Sequence, residues 1–197
     1  MAETQSWTLE VDADRVAWLV LDTPGVSTNV LSAGVLRDLA AQLADLAGRN
    51  PAAVVIRSAK PNGFVAGADI KEFVQIRTPE QGYELVRAGQ AVLQTLEDLP
   101  CPSAAALHGF VLGGGLELAL ACSYRVAADD ATLSLGFPEV LLGIHPGFGG
   151  TVRSVQLVGV RPALDLMLKG KPCKGARALA LNLIDELVPA PALLERA

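Results

Sequence analysis

Glu117 follows three consecutive glycines, Gly113 to Gly115, in HGFVLGGGLELALACSYRVA, and Glu139 precedes Pro146-Gly147 and Gly149-Gly150 in LGFPEVLLGIHPGFGGT. Carboxylates in apolar stretches suit general acid–base work, because burial and nearby dipoles move their pKa values toward the working pH. Glu139, among Leu, Phe, Pro and Val, is expected to resist ionisation through desolvation. Glu117, in the first turn of a helix starting near Gly114, is expected to be held as its anion by the positive end of the helix dipole. Two carboxylates driven apart in this way provide one acid and one base.

The glycines add a second kind of chemistry. A helix start at Gly114 leaves its first amides without intrahelical partners, and glycine removes the side chains that would keep a substrate oxygen from them. A second amide-presenting turn is expected upstream in GFVAGADIKEF, residues 63–73. There Asp69 and Glu72 form a capping-box pattern and are read as caps rather than catalysts. Two such turns aimed at one oxygen make an oxyanion hole, which needs preorganised donors about 3 Å from the developing charge. His108 and His145 are read as turn or packing residues, since no G-x-S-x-G elbow accompanies them. Lys60 and Lys71 flank the first turn and are read as solvated.

The elements that must hold these groups alternate in period. RVAWLVLD (Arg15 to Asp22), AAVVIRS (Ala52 to Ser58) and PSAAALHG (Pro102 to Gly109) predict buried strands. SAGVLRDLAAQLADLAGR predicts a helix capped by Ser32, and TPEQ announces another, with Thr78 as cap, Pro79 in the first turn and Gln81 completing a capping box, running to about Asp98. Helices follow at LELALACSY, GTVRSVQLVG, RPALDLMLKG and GARALALNL. The strand, strand, helix rhythm predicts an α/β fold of small stacked units in a single domain, residues 1–197.

Composition bounds the partners. With 51% hydrophobic and 19% charged residues in 197, one compact domain with a sizeable core is expected, and the net charge of −5 argues against nucleic acid. Cys101, Cys122 and Cys173 form no C-x-x-C pair, so reduced thiols are expected and no metal or redox site. The start, MAETQSWTLE, has neither a basic n-region nor an apolar h-region, and no apolar run of about 18 residues follows. A cytoplasmic chain without a membrane span is the expectation.

Taken together and in order, FVAGADIKEF, HGFVLGGGLELALAC and PEVLLGIHPGFGGT resemble the crotonase (enoyl-CoA hydratase/isomerase) family, and within it the hydratase region of the multifunctional fatty-acid-oxidation enzymes. The resemblance runs from about residue 15 to 190. It implies a crotonase-type spiral of ββα units, assembled as a homo-oligomer, a trimer or its dimer, or as part of a fatty-acid-oxidation complex. It also implies an acyl-CoA thioester as substrate, with coenzyme A part of that substrate and no separate cofactor. Position by position, the amides of Ala66 and Gly114 match the oxyanion-hole donors, Glu117 matches the water activator and Glu139 the proton donor. Gly147 matches a glycine amide that orients Glu139, and Ala66, Gly67, Ala68, Asp69, Gly114 and Gly147 match substrate-binding positions.

The implied activity is addition of water across the 2,3-double bond of a 2-enoyl-CoA in fatty acid β-oxidation, with Δ3-Δ2 isomerisation open to the same groups. The alternative is an acyl-CoA-binding or assembly fragment without catalysis when separated from a multifunctional chain. Two departures from the family bear on that choice. The chain ends at PALLERA, where family members continue into carboxyl-terminal helices, and no G-x-G-x-x-G of a dehydrogenase half is present.

Overall fold

The computed structural model describes residues 5–197; the first four residues of the amino-terminal stretch read above for targeting signals lie outside them. Strand β1 (Trp7–Val11) pairs antiparallel with β2 (Val16–Leu21), and from β2 onward the large sheet is parallel: β3 (Ala53–Ser58), β5 (Ser103–Leu107), β7 (Tyr124–Asp129) and β9 (Glu186–Pro189). Its order is β1-β2-β3-β5-β7-β9. A small parallel sheet contains β4 (Gly63–Val65), β6 (Phe110–Leu112) and β8 (Ser134–Gly136).

Sequence order explains the architecture. Each turn of the chain gives one strand to the large sheet, the next to the small sheet, and then helix: β3, β4, then α2 (Ile70–Phe73) and α3 (Pro79–Glu97); β5, β6, then α4 (Gly114–Leu120); β7, β8, then a 3₁₀ turn (Pro138–Leu142), α5 (Gly150–Val158) and α6 (Val160–Lys169). This is the predicted spiral of ββα units. Helix α1 (Ala33–Arg49) precedes it, and α7 (Gly175–Ala180) and α8 (Leu193–Arg196) follow around β9. Among the described residues no helix is long and apolar enough to cross a membrane.

The central strands carry apolar residues on both faces, as buried parallel strands do. In β5, Ala105 and Leu107 join the main core beneath the helices, while Ala104 and Ala106 face a second cluster with Val55, Val126 and Val188. Helix α1 buries Val35, Leu36, Leu39, Leu43 and Leu46, a stripe at helical spacing. Trp7 is fully buried and its indole N–H donates to the Val35 carbonyl at 3.1 Å.

The predicted helix starts form with two changes of partner. Ser32 accepts from the Val35 amide and Thr78 from the Gln81 amide. Gln81, however, accepts from Arg77 one residue earlier than a capping box requires, so the box does not close on Thr78. Glu72 does not cap its own helix: both carboxylate oxygens accept from the Ala33 amide at 3.0 Å, tying α2 to the start of α1.

Candidate active site

Glu117 occupies the first turns of α4 and is 1% exposed. Its Oε1 accepts two hydrogen bonds of 2.7 Å, from the amides of Phe148 and Gly150. Glycine at 150 is required there, since a Cβ would stand 2.8 Å from Glu117 Cγ and 2.9 Å from Oε1. Gly113, at φ 51°, likewise leaves room for Glu139, whose Oε1 would lie 2.7 Å from a Cβ. Glu139 begins the 3₁₀ turn, and its Oε2 is buried with no hydrogen-bond partner among the described residues.

Both carboxylates line one cavity of about 530 Å³. Its walls are mostly apolar, from Ile70, Phe73 and Ile76 around α2, Leu85 and Val86 on α3, and Leu142, Ile144 and Phe148 beyond the 3₁₀ turn. Convergent polar groups in an apolar pocket are the usual form of a small-molecule site. A larger cleft of about 740 Å³ opens between α3 and α5, but it contains neither glutamate and is lined largely by polar side chains.

The expected contrast in ionisation is corrected by the structure. Burial pushes Glu117 up to about 7, with the Glu139 charge adding to the shift and the Gly150 and Phe148 amides and Arg153 opposing it. Burial also raises Glu139, opposed by its own backbone amide and by His145. Desolvation outweighs the dipole of a seven-residue helix at Glu117. Both groups therefore resist ionisation, Glu117 through burial and the Glu139 charge, Glu139 through burial.

The linkage has a measurable consequence. A carboxyl with an unfolded value near 4.5 and a folded value of about 7 costs the fold nothing below the first, an increasing amount between them, and the full amount above the second. Glu117→Gln, which removes that buried charge and can keep the amide bonds, is expected to stabilise the protein at pH 8 by up to about 3 kcal/mol. It should do so far less at pH 4. Melting curves of the two proteins at both pH values check this, and equal shifts at both would count against it.

The two turns differ in which amides are free to donate. The Ala66 amide, expected as a donor, is already bonded to the Asn29 carbonyl at 3.0 Å. The amides of Ala68 and Gly114, by contrast, donate to no acceptor among the described residues. A Cβ built on Gly114 would lie 3.3 Å from the Ala68 nitrogen, so the two turns do approach each other. The first turn is fixed from outside, because Leu31 donates to the Gly67 carbonyl and accepts from the Asp69 amide, and the second through the Gly113 amide, which donates to the Gly136 carbonyl.

Ala66, Gly67, Ala68, Gly114 and Gly147 all line the cavity, and Asp69 does not. Asp69 caps α2 by accepting from the Lys71 amide, which uses its carboxylate locally. No hydrogen bond joins the Gly147 amide to Glu139 among the described residues; the Gly147 carbonyl accepts from Gln90, and the neighbouring Phe148 and Gly150 amides hold Glu117. His145 lines the cavity with Nδ1 donating to the Pro146 carbonyl, and His108 lies elsewhere, donating to the Lys60 carbonyl. Lys60 is paired with Asp22 at 2.6 Å. Sequence reasoning missed Phe148, Gly150 and Arg153 as supports of Glu117; an arginine three residues after Gly149-Gly150 was the available signal.

Stacked ββα units enclosing a buried and a half-buried carboxylate beside two amide-presenting turns define the class of protein. Residues 13–197 match the family described as enoyl-CoA hydratase/isomerase. The chain belongs to the enoyl-CoA hydratase/isomerase family, the crotonases. It is 44% identical over 200 residues to the fatty acid oxidation complex subunit alpha of Vibrio campbellii, with all of this chain and 28% of that protein covered. The enoyl-CoA hydratase of Bacillus anthracis superposes with a TM-score of 0.89 at 34% identity, covering 98% of this chain and 73% of that one. That of Thermoplasma volcanium does so with 0.90 at 31%, covering 98% and 76%. The chain thus spans little more than a quarter of the curated relatives it matches and about three quarters of these solved structures.

Proposed function

We propose that the protein hydrates 2-enoyl-CoA thioesters in fatty acid oxidation, coenzyme A entering as part of the substrate. The observation that carries this reading is the meeting of two carboxylates, Glu117 buried and Glu139 half-buried, and two amides without acceptors among the described residues in one apolar-walled cavity. The thioester oxygen accepts from the Ala68 and Gly114 amides, which draws electron density from C3. Ionised Glu117 takes a proton from water as the water oxygen bonds to C3, and the negative charge passes through C2 to the thioester oxygen. Protonated Glu139 then delivers a proton to C2, and the double bond becomes a hydroxyl and a new C–H. Burial supports both roles: Glu117, with a pKa of about 7, is divided between acid and base at neutral pH, and burial raises Glu139 toward the protonated form it needs as donor.

The same donor pair serves an enolate formed from a 3-enoyl-CoA, so Δ3-Δ2 isomerisation is a second reaction open to the site. The relatives named as a complex subunit support assembly, as a homo-oligomer or within a fatty-acid-oxidation complex. Hydration of crotonoyl-CoA, followed by loss of the enoyl-thioester absorbance, tests the reading. The expected pH profile of kcat/KM is a bell, rising as Glu117 ionises and falling as Glu139 loses the proton it must deliver. Titration calorimetry with a non-reactive acyl-CoA that shows binding, alongside no turnover at any pH, would favour the non-catalytic fragment instead.

A further inference from the structure

Arg153, on α5, is 9% exposed and spends its guanidinium on the back of the active-site turn. Its Nη1 donates to the Phe148 carbonyl at 3.0 Å, while Nε and Nη2 donate to Glu97 Oε2 on α3 at 2.9 and 2.6 Å. Phe148 is therefore held at both ends of its main chain, by Arg153 through the carbonyl and by Glu117 through the amide. Gly149, at φ 106°, fits this arrangement, since a Cβ there would stand 2.3 Å from Arg153 Nη1. The Phe148 ring is seated against Gly89 of α3, where a Cβ would meet it at 2.4 Å.

We propose that Arg153, paired with Glu97, is a positioning residue that braces the Phe148–Gly150 turn so that its two amides converge on Glu117 and keep that carboxylate usable as a base. The catalytic half of this inference rests on the hydratase reading; the bracing half does not. An ion pair kept only for stability would not need to reach a main-chain carbonyl whose own residue donates to the base. The charges around Glu117 are Glu139 from the 3₁₀ turn, which disfavours its ionisation, and Arg153 from α5, which favours it. Glu97 faces Arg153 from α3 and partly neutralises it, and His145 acts on Glu139.

This arrangement makes the two partners' removal act in opposite directions. Arg153→Met takes away the favourable charge and loosens the turn, so the Glu117 carboxyl, followed by carbon NMR in glutamate-labelled protein, is expected to titrate higher. Glu97→Gln keeps a hydrogen-bond acceptor but unmasks Arg153, so Glu117 is expected to titrate lower. In turnover, Arg153→Met should lower kcat about 10- to 100-fold through misplacement of the base, with KM little changed. Arg153→Lys should restore most of the titration and little of the rate, because an ammonium cannot bridge Glu97 and Phe148 as a planar fork does. Shifts of the same sign in both variants, or an unmoved Glu117 in folded Arg153→Met, would overturn the brace. Should that variant not fold, the downward shift in Glu97→Gln, whose side chain is 42% exposed, decides alone. A wild-type protein that hydrates nothing would sink the hydratase reading while the opposite NMR shifts still supported the brace.

Discussion

Glu117→Gln and Glu139→Gln are each expected to lower crotonoyl-CoA hydration by about 10²–10⁴-fold while leaving acyl-CoA binding nearly intact. Glutamine matches glutamate in shape, and at position 117 its carbonyl oxygen can still accept from the Phe148 and Gly150 amides. It can neither take a proton from water nor deliver one to carbon. Because both carboxylates act on the same addition, the double variant should lose far less than the product of the single losses. The isomerase reaction separates the roles further. Moving one proton between two carbons needs a single base, so Glu139→Gln should abolish isomerisation and Glu117→Gln weaken it less. Rates of both reactions on folded variants, with calorimetry for binding, give the answer. Full hydration in either single variant would sink the assignment, and an isomerase that depends more on Glu117 would reverse the roles.

What the sequence made legible was decided by how local the cause of each feature is. Helices α1 and α3 could be placed because their stripes, Ser32, Thr78 and Pro79 act within a few residues. The small sheet could not: β4, β6 and β8 have three residues each, too few for a period, and they form only because stacking aligns them. DELVP carries no strand signal by itself and becomes β9 through pairing with β7 some 60 residues away. The site divides along the same line. Both glutamates stand out by residue type, yet the ionisation of Glu117 depends on burial by distant segments, which the helix-dipole argument could not include. The choice between Ala66 and Ala68 turned on the Asn29 carbonyl, which reaches across from another part of the chain and consumes the first of the two amides. Resemblance to a family pointed to the turn, and hydrogen-bond accounting shows which of its amides are already used.

That accounting makes the Gly114 amide open to a direct test. Gly114 is the first residue of α4, the position where proline is best tolerated because its missing N–H would have no intrahelical partner. Gly114→Pro should therefore preserve the helix while deleting one oxyanion donor. Its cost is expected to be about 2.7–4 kcal/mol of transition-state stabilisation, or about 10²–10³-fold in kcat. Steric effects need their own control, since a Cβ at 114 would lie 3.3 Å from the Ala68 nitrogen and 3.4 Å from the Phe148 ring. Gly114→Ala supplies it, adding the carbon and keeping the amide, so it should lose much less rate than the proline variant. Equal losses in the two would assign the effect to crowding, and unchanged turnover in folded Gly114→Pro would remove Gly114 from the oxyanion hole. A ligand complex gives the complementary reading: the thioester oxygen should lie about 3 Å from the nitrogens of Ala68 and Gly114. Ala66 should keep its bond to Asn29 in that complex, because a strand end already paired gains nothing by exchanging a carbonyl for the substrate.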